Sequence, residues 1–174
     1  MIWQSFDHPS DTFLPHSKLG FDRRTGQRWN LQSWKSEDDP GSGNLILNIT
    51  YTGKSQIFLF KENHPWYRGR SYNGEIFVGS PSMKRSVITL FNHTFVNDEN
   101  DVYLMYNTYD ESVITRLIVH PSGFYQTFTW DSQKNQWRRY WSTPESQCDN
   151  YGTCGSNSNC DLLNYEDHQC SCFY

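Results

Sequence analysis

No cysteine occurs before residue 148 in this 174-residue chain. Whatever fold those residues adopt is therefore held by packing and not by disulfides, and the length is sufficient for a core of that kind. Nowhere is there an apolar run of about 18 residues, which removes a membrane-spanning helix. The opening stretch MIWQSFDHPSD has neither the basic flank nor the apolar stretch of a secretory leader; taken literally, that keeps the chain in the cytosol. Positive charge is scarce: 15 Lys and Arg against 19 Asp and Glu leave a net charge of −4, which offers nothing to a nucleic acid or an anionic membrane. No stretch of about 12 residues carries a helical apolar stripe.

Catalytic patterns are also missing. His8, His16, His64, His93, His120 and His168 are scattered, and no HExxH or GxSxG occurs. There is no glycine-rich phosphate loop, no HRD loop and no DFG triplet, so no kinase chemistry is encoded in this stretch. Asp38 and Asp39 sit in a Pro/Gly loop, where a solvated turn outweighs an acid/base couple. NDEND, at 97–101, lacks the central glycine and the closing glutamate of a calcium loop. The expectation is a non-enzyme without catalytic residues, cofactor or metal.

What the chain does have is aromatic mass and β patterning. Aromatic residues make up 17% of it and hydrophobic residues only 36%, so the core rests heavily on large rings. NLILNIT places Leu45, Leu47 and Ile49 on one strand face, and after Thr52-Gly53-Lys54 the stretch SQIFLFK puts Ile57 and Leu59 in phase, which reads as a hairpin. SVITRLIV, the Pro121-Ser122-Gly123 turn and FYQTFTW read as a second. DSQKN then turns the chain into QWRRYW, and Trp130 and Trp137 flank that turn in position to pair across it. VYLMYN and EIFVG are compatible with strands. Trp29, Trp34, Trp130, Trp137 and Trp141 fall on or beside these strands and are read as gap fillers between sheets. KSEDDPGSGN and NDEND read as exposed loops. The fold class is all-β, a prism or barrel-like antiparallel architecture.

Near Thr143-Pro144-Glu145 the aromatic strands give way to Gly, Asn, Ser and Cys. Cys148, Cys154, Cys160, Cys170 and Cys172 all fall in this tail, which cannot bury enough apolar surface to fold without cross-links. That argues for an oxidising compartment. The sequons Asn48-Ile49-Thr50 and Asn92-His93-Thr94 agree, making Asn48 and Asn92 candidate glycan sites. The spacing lacks the close cysteine pairs of a zinc site, and Cys170 and Cys172 are poorly placed to bond each other. Five is an odd number, so one thiol has no partner within the chain. Two regions join aromatic or apolar side chains to cations, as interface hot spots do. One is Tyr67–Tyr72, with Arg68, Arg70 and Tyr72. The other is the loop at 80–85, with Met83, Lys84 and Arg85. The competing reading of the first region is a core of Trp66, Tyr67 and Tyr72 with Arg68 stacked on it.

The tail CDNYGTCGSNSNCDLLNYEDHQCSCFY resembles the epidermal growth factor-like module of plant S-locus glycoproteins and G-type lectin S-receptor-like kinases. WQSFDHPSDTFLPHSKLG, LQSWKSEDDPGSGN, WYRGRSYNGEIFVGSP and WRRYWSTPESQCDNYGTCG are similar to family segments in the same order. Tyr72 stands where the family usually has tryptophan, and Gly69-Arg70-Ser71 replaces serine-glycine-proline. The resemblance implies a lectin-domain remnant at 1–20, an S-locus glycoprotein domain at 21–143 and a partial, truncated EGF-like module at 144–174. It implies Cys148 bonded to Cys160, Cys154 bonded to Cys170, and a partner for Cys172 lying beyond Tyr174. The mannose-binding signature of bulb lectins is absent, so no sugar site is assigned to Trp3 or Asp7. The implied function is an extracellular, non-catalytic recognition piece, from a secreted protein or a plasma-membrane ectodomain. Its partner would be a peptide or protein, including a small cysteine-rich protein, in pollen recognition, self-incompatibility or defence, with receptor dimerisation. The alternatives are a truncated gene fragment without independent activity and a carbohydrate-binding lectin-like module.

Overall fold

The computed structural model describes residues 8–50, 53–75, 77, 90–162 and 168–173. Among these residues the regular structure is β, in chain order β1 (Thr12–Phe13), β2 (Leu19–Asp22), β3 (Arg28–Trp29), β4 (Leu31–Trp34), β5 (Ser42–Ile49), β6 (Gln56–Lys61), β7 (His64–Ser71), β8 (Phe91–Asn97), β9 (Asp101–Thr108), β10 (Thr115–His120), β11 (Phe124–Asp131), β12 (Gln136–Thr143), β13 (Ser158–Leu162) and β14 (His168–Cys172). A short 3-10 turn covers Gln147–Asp149.

Alternation explains the long strands. On β5, Leu45, Leu47 and Ile49 are buried while their neighbours are not, and on β6 Ile57 and Leu59 are buried in phase. The register sets Leu47 against Leu59 and Ile49 against Ile57, so one continuous face enters the core. Aspartates make three of the tight turns by accepting backbone N–H groups two and three residues on. Asp22 accepts from Arg24 and Thr25, Asp98 from Asn100 and Asp101, and Asp131 from Gln133 and Lys134. Those N–H groups favour the ionised carboxyl and hold Asp22 and Asp98 below the usual aspartate pKa. The acids of NDEND therefore build a turn. EIFVG lies outside the described residues except for Glu75 and Phe77, the latter bridged to Tyr72.

Three four-stranded antiparallel sheets result, ordered β1-β10-β11-β12, β3-β2-β9-β8 and β4-β5-β6-β7, with β13-β14 as a separate hairpin. All three contribute to one core: Phe13, Val119 and Tyr125 from the first, Leu19, Phe91, Leu104 and Tyr106 from the second, and Leu31, Leu47, Leu59 and Tyr67 from the third. Rings lock the seam between the sheets. Phe13 lies 5.1 Å from Tyr106, whose hydroxyl donates to the Phe13 carbonyl, and Tyr67 lies 5.6 Å from Tyr125. The chain is all-β, three sheets around one core in the prism or barrel manner. β1 pairs with β10 and β2 with β9, so residues before 23 form part of the same core as residues after 100.

The cysteine-rich tail docks on β7. Tyr67 bridges to Asn150, and the Tyr151 N–H donates to the Trp66 carbonyl at 2.8 Å. Trp66 in turn donates its indole N–H to the Gly123 carbonyl, linking the tail junction to the β10–β11 turn.

Candidate ligand-binding face

The outer surface of the β1-β10-β11-β12 sheet follows from strand phase. Thr115, Val119, Tyr125 and Thr127 point inward and are buried, so Arg116, Ile118, Phe128 and Trp130 point outward. The register sets Arg116 against Phe128, and Phe128 against Arg139 and Trp130 against Trp137. The Trp130 and Trp137 rings meet edge to face at 5.3 Å. Arg116 lays its guanidinium over Trp137 at 4.1 Å and reaches Phe128 at 5.8 Å. Such contacts are worth on the order of 1–2 kcal/mol when partly desolvated. They hold the cation in one place, with Nε buried and without a hydrogen-bond partner. Burial lowers the Arg116 pKa and the Asp11 carboxylate pulls it back up; arginine stays charged regardless.

Arg116 also lines a groove of about 430 Å³ together with Asp11, Trp34, Glu37, Ile118 and His120. The far wall is the loop after β4. It is stiffened from within: the Lys35 N–H donates to the Gly41 carbonyl at 2.7 Å, Ser36 donates to Asp38 at 2.6 Å and the Gly41 N–H to Asp39 at 2.9 Å. The loop leaves the sheet at a register shift between Gln32 and Trp34. Gly43 permits this, because a Cβ there would collide with the Trp34 carbonyl and the Ser33 hydroxyl. Across the groove the Ser122 N–H donates to His120 Nδ1, which places the ring proton on Nε2, facing Glu37 at 3.4 Å. The groove thus presents an indole, two carboxylates and a fixed guanidinium. Among the described residues no three His, Cys, Asp or Glu side chains gather as metal ligands.

The sequence-derived candidates lie elsewhere. Arg68 is exposed on β7, opposite Phe58, and Arg70 lies on the same strand. Tyr72 packs against Phe95 at 4.5 Å and Phe77 at 5.2 Å, and its hydroxyl donates to the Gly74 carbonyl. Met83, Lys84 and Arg85 lie outside the described residues. Asn48 is half-buried on the outer side of β5, and Asn92 is exposed on β8. Disulfides join Cys148 to Cys160 and Cys154 to Cys170, and Cys172 is an exposed thiol. Sequence reasoning missed the Arg116 groove. It treated Trp34, Trp130 and Trp137 as fillers between sheets, whereas they border or occupy an outer face. The available signal was the outward phase of Arg116, Ile118 and His120 on a strand whose other face is apolar.

A single β core that displays a grooved face and carries a cross-braced tail is the build of an extracellular recognition module. The S-locus glycoprotein domain profile matches residues 66–174, and the D-mannose binding lectin profile matches residues 1–35. The chain belongs to the S-locus glycoprotein domain family. It is 45% identical over 171 residues to the G-type lectin S-receptor-like serine/threonine-protein kinase RKS1 of Arabidopsis thaliana, covering 98% of this chain and 20% of the relative. It is 38% identical over 162 residues to the S-locus-specific glycoprotein BS29-2 of Brassica oleracea var. alboglabra, covering 92% of this chain and 37% of that protein. The chain thus spans about a fifth of the kinase relative and somewhat over a third of the glycoprotein. The matched part of the kinases is their lectin and S-locus region. Among the described residues no helix is long and apolar enough to cross a membrane.

Proposed function

We propose that this chain is the non-catalytic recognition part of an S-locus glycoprotein or S-receptor-like kinase, and that it binds a peptide or protein ligand on the outer face of the β1-β10-β11-β12 sheet. The carrying observation is Arg116, fixed between Trp137 and Phe128 on the floor of a groove walled by the Glu37 loop. Aromatic and arginine side chains held rigidly lose little entropy on binding and make the strongest interface anchors. Both sequons support the same face, because Asn48 lies on β5 and Asn92 on β8, in the other two sheets. Glycans there would leave this face open. The setting proposed is outside the cell, in pollen recognition or defence, with a small cysteine-rich protein as one form of ligand and dimerisation as one form of response. We propose the division into 1–20, 21–143 and 144–174 as one of ancestry, with the first segment sharing the sheets of the second.

The test is selection of a displayed peptide library on the immobilised chain. Bound peptides should weaken at least tenfold, about 1.4 kcal/mol, with Arg116→Ala or Trp137→Ala and hold with Arg68→Ala. Sensitivity to Arg68→Ala with indifference to Arg116→Ala would move the ligand to the Arg68, Arg70 and Tyr72 region, or to Met83, Lys84 and Arg85, and sink this placement. A second reading, sugar binding, is favoured by Trp34 lining the groove together with Asp11 and Glu37; a glycan array that binds wild type and not Trp34→Ala would select it.

A further inference from the structure

The outer face of the β4-β5-β6-β7 sheet carries an aromatic shelf that the recognition reading does not use. Phe58 and Phe60 point away from the core, between the buried Ile57 and Leu59, and their rings stack at 5.4 Å with a 25° tilt. Ile46, opposite Phe60, extends the shelf. Each of these side chains is only half-buried. Directly across from Phe58 in the strand register stands Asn48, and on the other side of Phe58 stands the exposed Arg68. The Asn48 carbonyl oxygen Oδ1 is buried without a partner. Its amide nitrogen Nδ2 makes no hydrogen bond among the described residues and is not among the buried atoms left without a partner. Side chains facing each other across antiparallel strands have Cβ atoms about 5 Å apart, which is the reach of one sugar ring bonded to Nδ2.

We infer that the first sugar of an N-linked glycan on Asn48 lies over the Phe58–Phe60 shelf and is the cover of this sheet face. The inference rests on the proposed occupancy of Asn48 and adds a structural role for it. Attachment is a transfer from an oligosaccharide carried on a polyisoprenyl pyrophosphate. The Nδ2–C1 bond forms, the bond from C1 to the pyrophosphate oxygen breaks, the amide proton passes to the transferase base, and the lipid pyrophosphate leaves. No oxidation or reduction is involved. Once attached, the sugar turns its apolar C–H face to a ring, as aliphatic groups do on aromatic faces, and its hydroxyls stand at the Arg68 side. Partial cover of Phe58, Phe60 and Ile46 removes apolar surface from water that the bare sheet leaves exposed. Thr50 completes the sequon and also accepts the Gln56 N–H through its hydroxyl, so the variant that removes the glycan alone is Asn48→Gln.

The experiment uses the whole chain secreted from plant cells. Peptide mass spectrometry before and after amidase treatment reads occupancy at Asn48, and thermal midpoints are compared for wild type, Asn48→Gln, Phe58→Leu and the double variant. Phe58→Leu keeps an apolar side chain of similar bulk and preserves the fold. The glycosylated wild type should melt about 3 °C above Asn48→Gln, and the difference should shrink below about 1 °C in the Phe58→Leu background. An occupied Asn48 with the same difference in both backgrounds overturns the shelf while leaving glycosylation in place. An unoccupied Asn48 overturns both. Dimers of the glycosylated protein that dissociate with Phe58→Leu, seen by light scattering, would give the shelf to a second copy and also overturn the inference.

Discussion

Replacing Cys148, Cys154, Cys160 and Cys170 by serine is expected to unfold the tail and leave the three sheets standing. β13 and β14 form a lone two-stranded hairpin, which is marginal in water. Beyond Pro144 the described residues are exposed or at most half-buried, so no local core replaces the cross-links. Cys160 and Cys170 face each other in the hairpin register but do not bond each other. Each reaches back to the segment holding Cys148 and Cys154, so both arms of the hairpin are tied to the piece that docks on Trp66 and Tyr67. The sequence separations are 12 and 16 residues; loop-closure entropy makes each bond worth about 3 kcal/mol to the ordered tail. The other ties are polar and mostly exposed, among them the Asp149 carboxylate accepting the Glu145 and Ser146 N–H groups, the Thr153 hydroxyl donating to the Gln147 carbonyl and the Asn150 and Tyr151 contacts with β7; they are too weak to offset the ordering of so many residues. Hydrogen exchange should show protection lost across 158–162 and 168–172 and kept at Leu47, Leu59 and Val119. Protection surviving in the tail would mean that packing holds it.

The second large effect is loss of stability in mild acid, carried by His93. It lies on β8 between Phe91 and Phe95, the inward phase of that strand, with its ring 6.4 Å from Tyr106. It lines an interior cavity with Leu19, Leu104, Leu117, Thr127 and Trp141, a setting without a carboxylate. Burial alone lowers its pKa from 6.5 to about 4. Above pH 6.5 both folded and unfolded chains hold the ring neutral and the fold has its full stability. Below that the unfolded chain binds a proton that the folded chain refuses, so stability falls as pH drops from 6.5 toward 4. The full loss is on the order of 3 kcal/mol, of which roughly 2 kcal/mol is gone by pH 5. Urea unfolding at pH 7 and pH 5 reads it directly. His93→Leu keeps the Asn92 sequon, since the middle position is free, and should flatten the difference. An equal acid loss in that variant would place the titrating group elsewhere.

His93 also shows where the sequence stops being informative. Its strand, FNHTFVN, alternates, yet a histidine between two phenylalanines reads equally well as a wet or a dry position. Only the packing of β3-β2-β9-β8 against the other two sheets decided that it is largely withdrawn from water. Tyr72 was open in the same way, a contact or a core ring from its neighbours alone, and the aromatic cluster with Phe77 and Phe95 settles its packing. The hairpins at 45–59 and 115–130 were legible because alternation with a period of two and a short turn fix both face and register locally. The Trp130–Trp137 pair was legible for the same reason.

By itself, then, the order of residues determined that the fold is of the all-β class, which faces of its longest strands are apolar, and that the tail depends on sulfur. These are local matters, fixed by side chains within a few positions of one another. The recognition face was decided only in three dimensions. Asp11, Trp34, Glu37, Arg116 and His120 come from three separate stretches, and they meet because β1 crosses to β10 and the Glu37 loop folds back over that sheet. Strand pairing at such separations is chosen by burial of the whole core, in which every sheet supplies part of the same apolar interior, and no single segment carries that information.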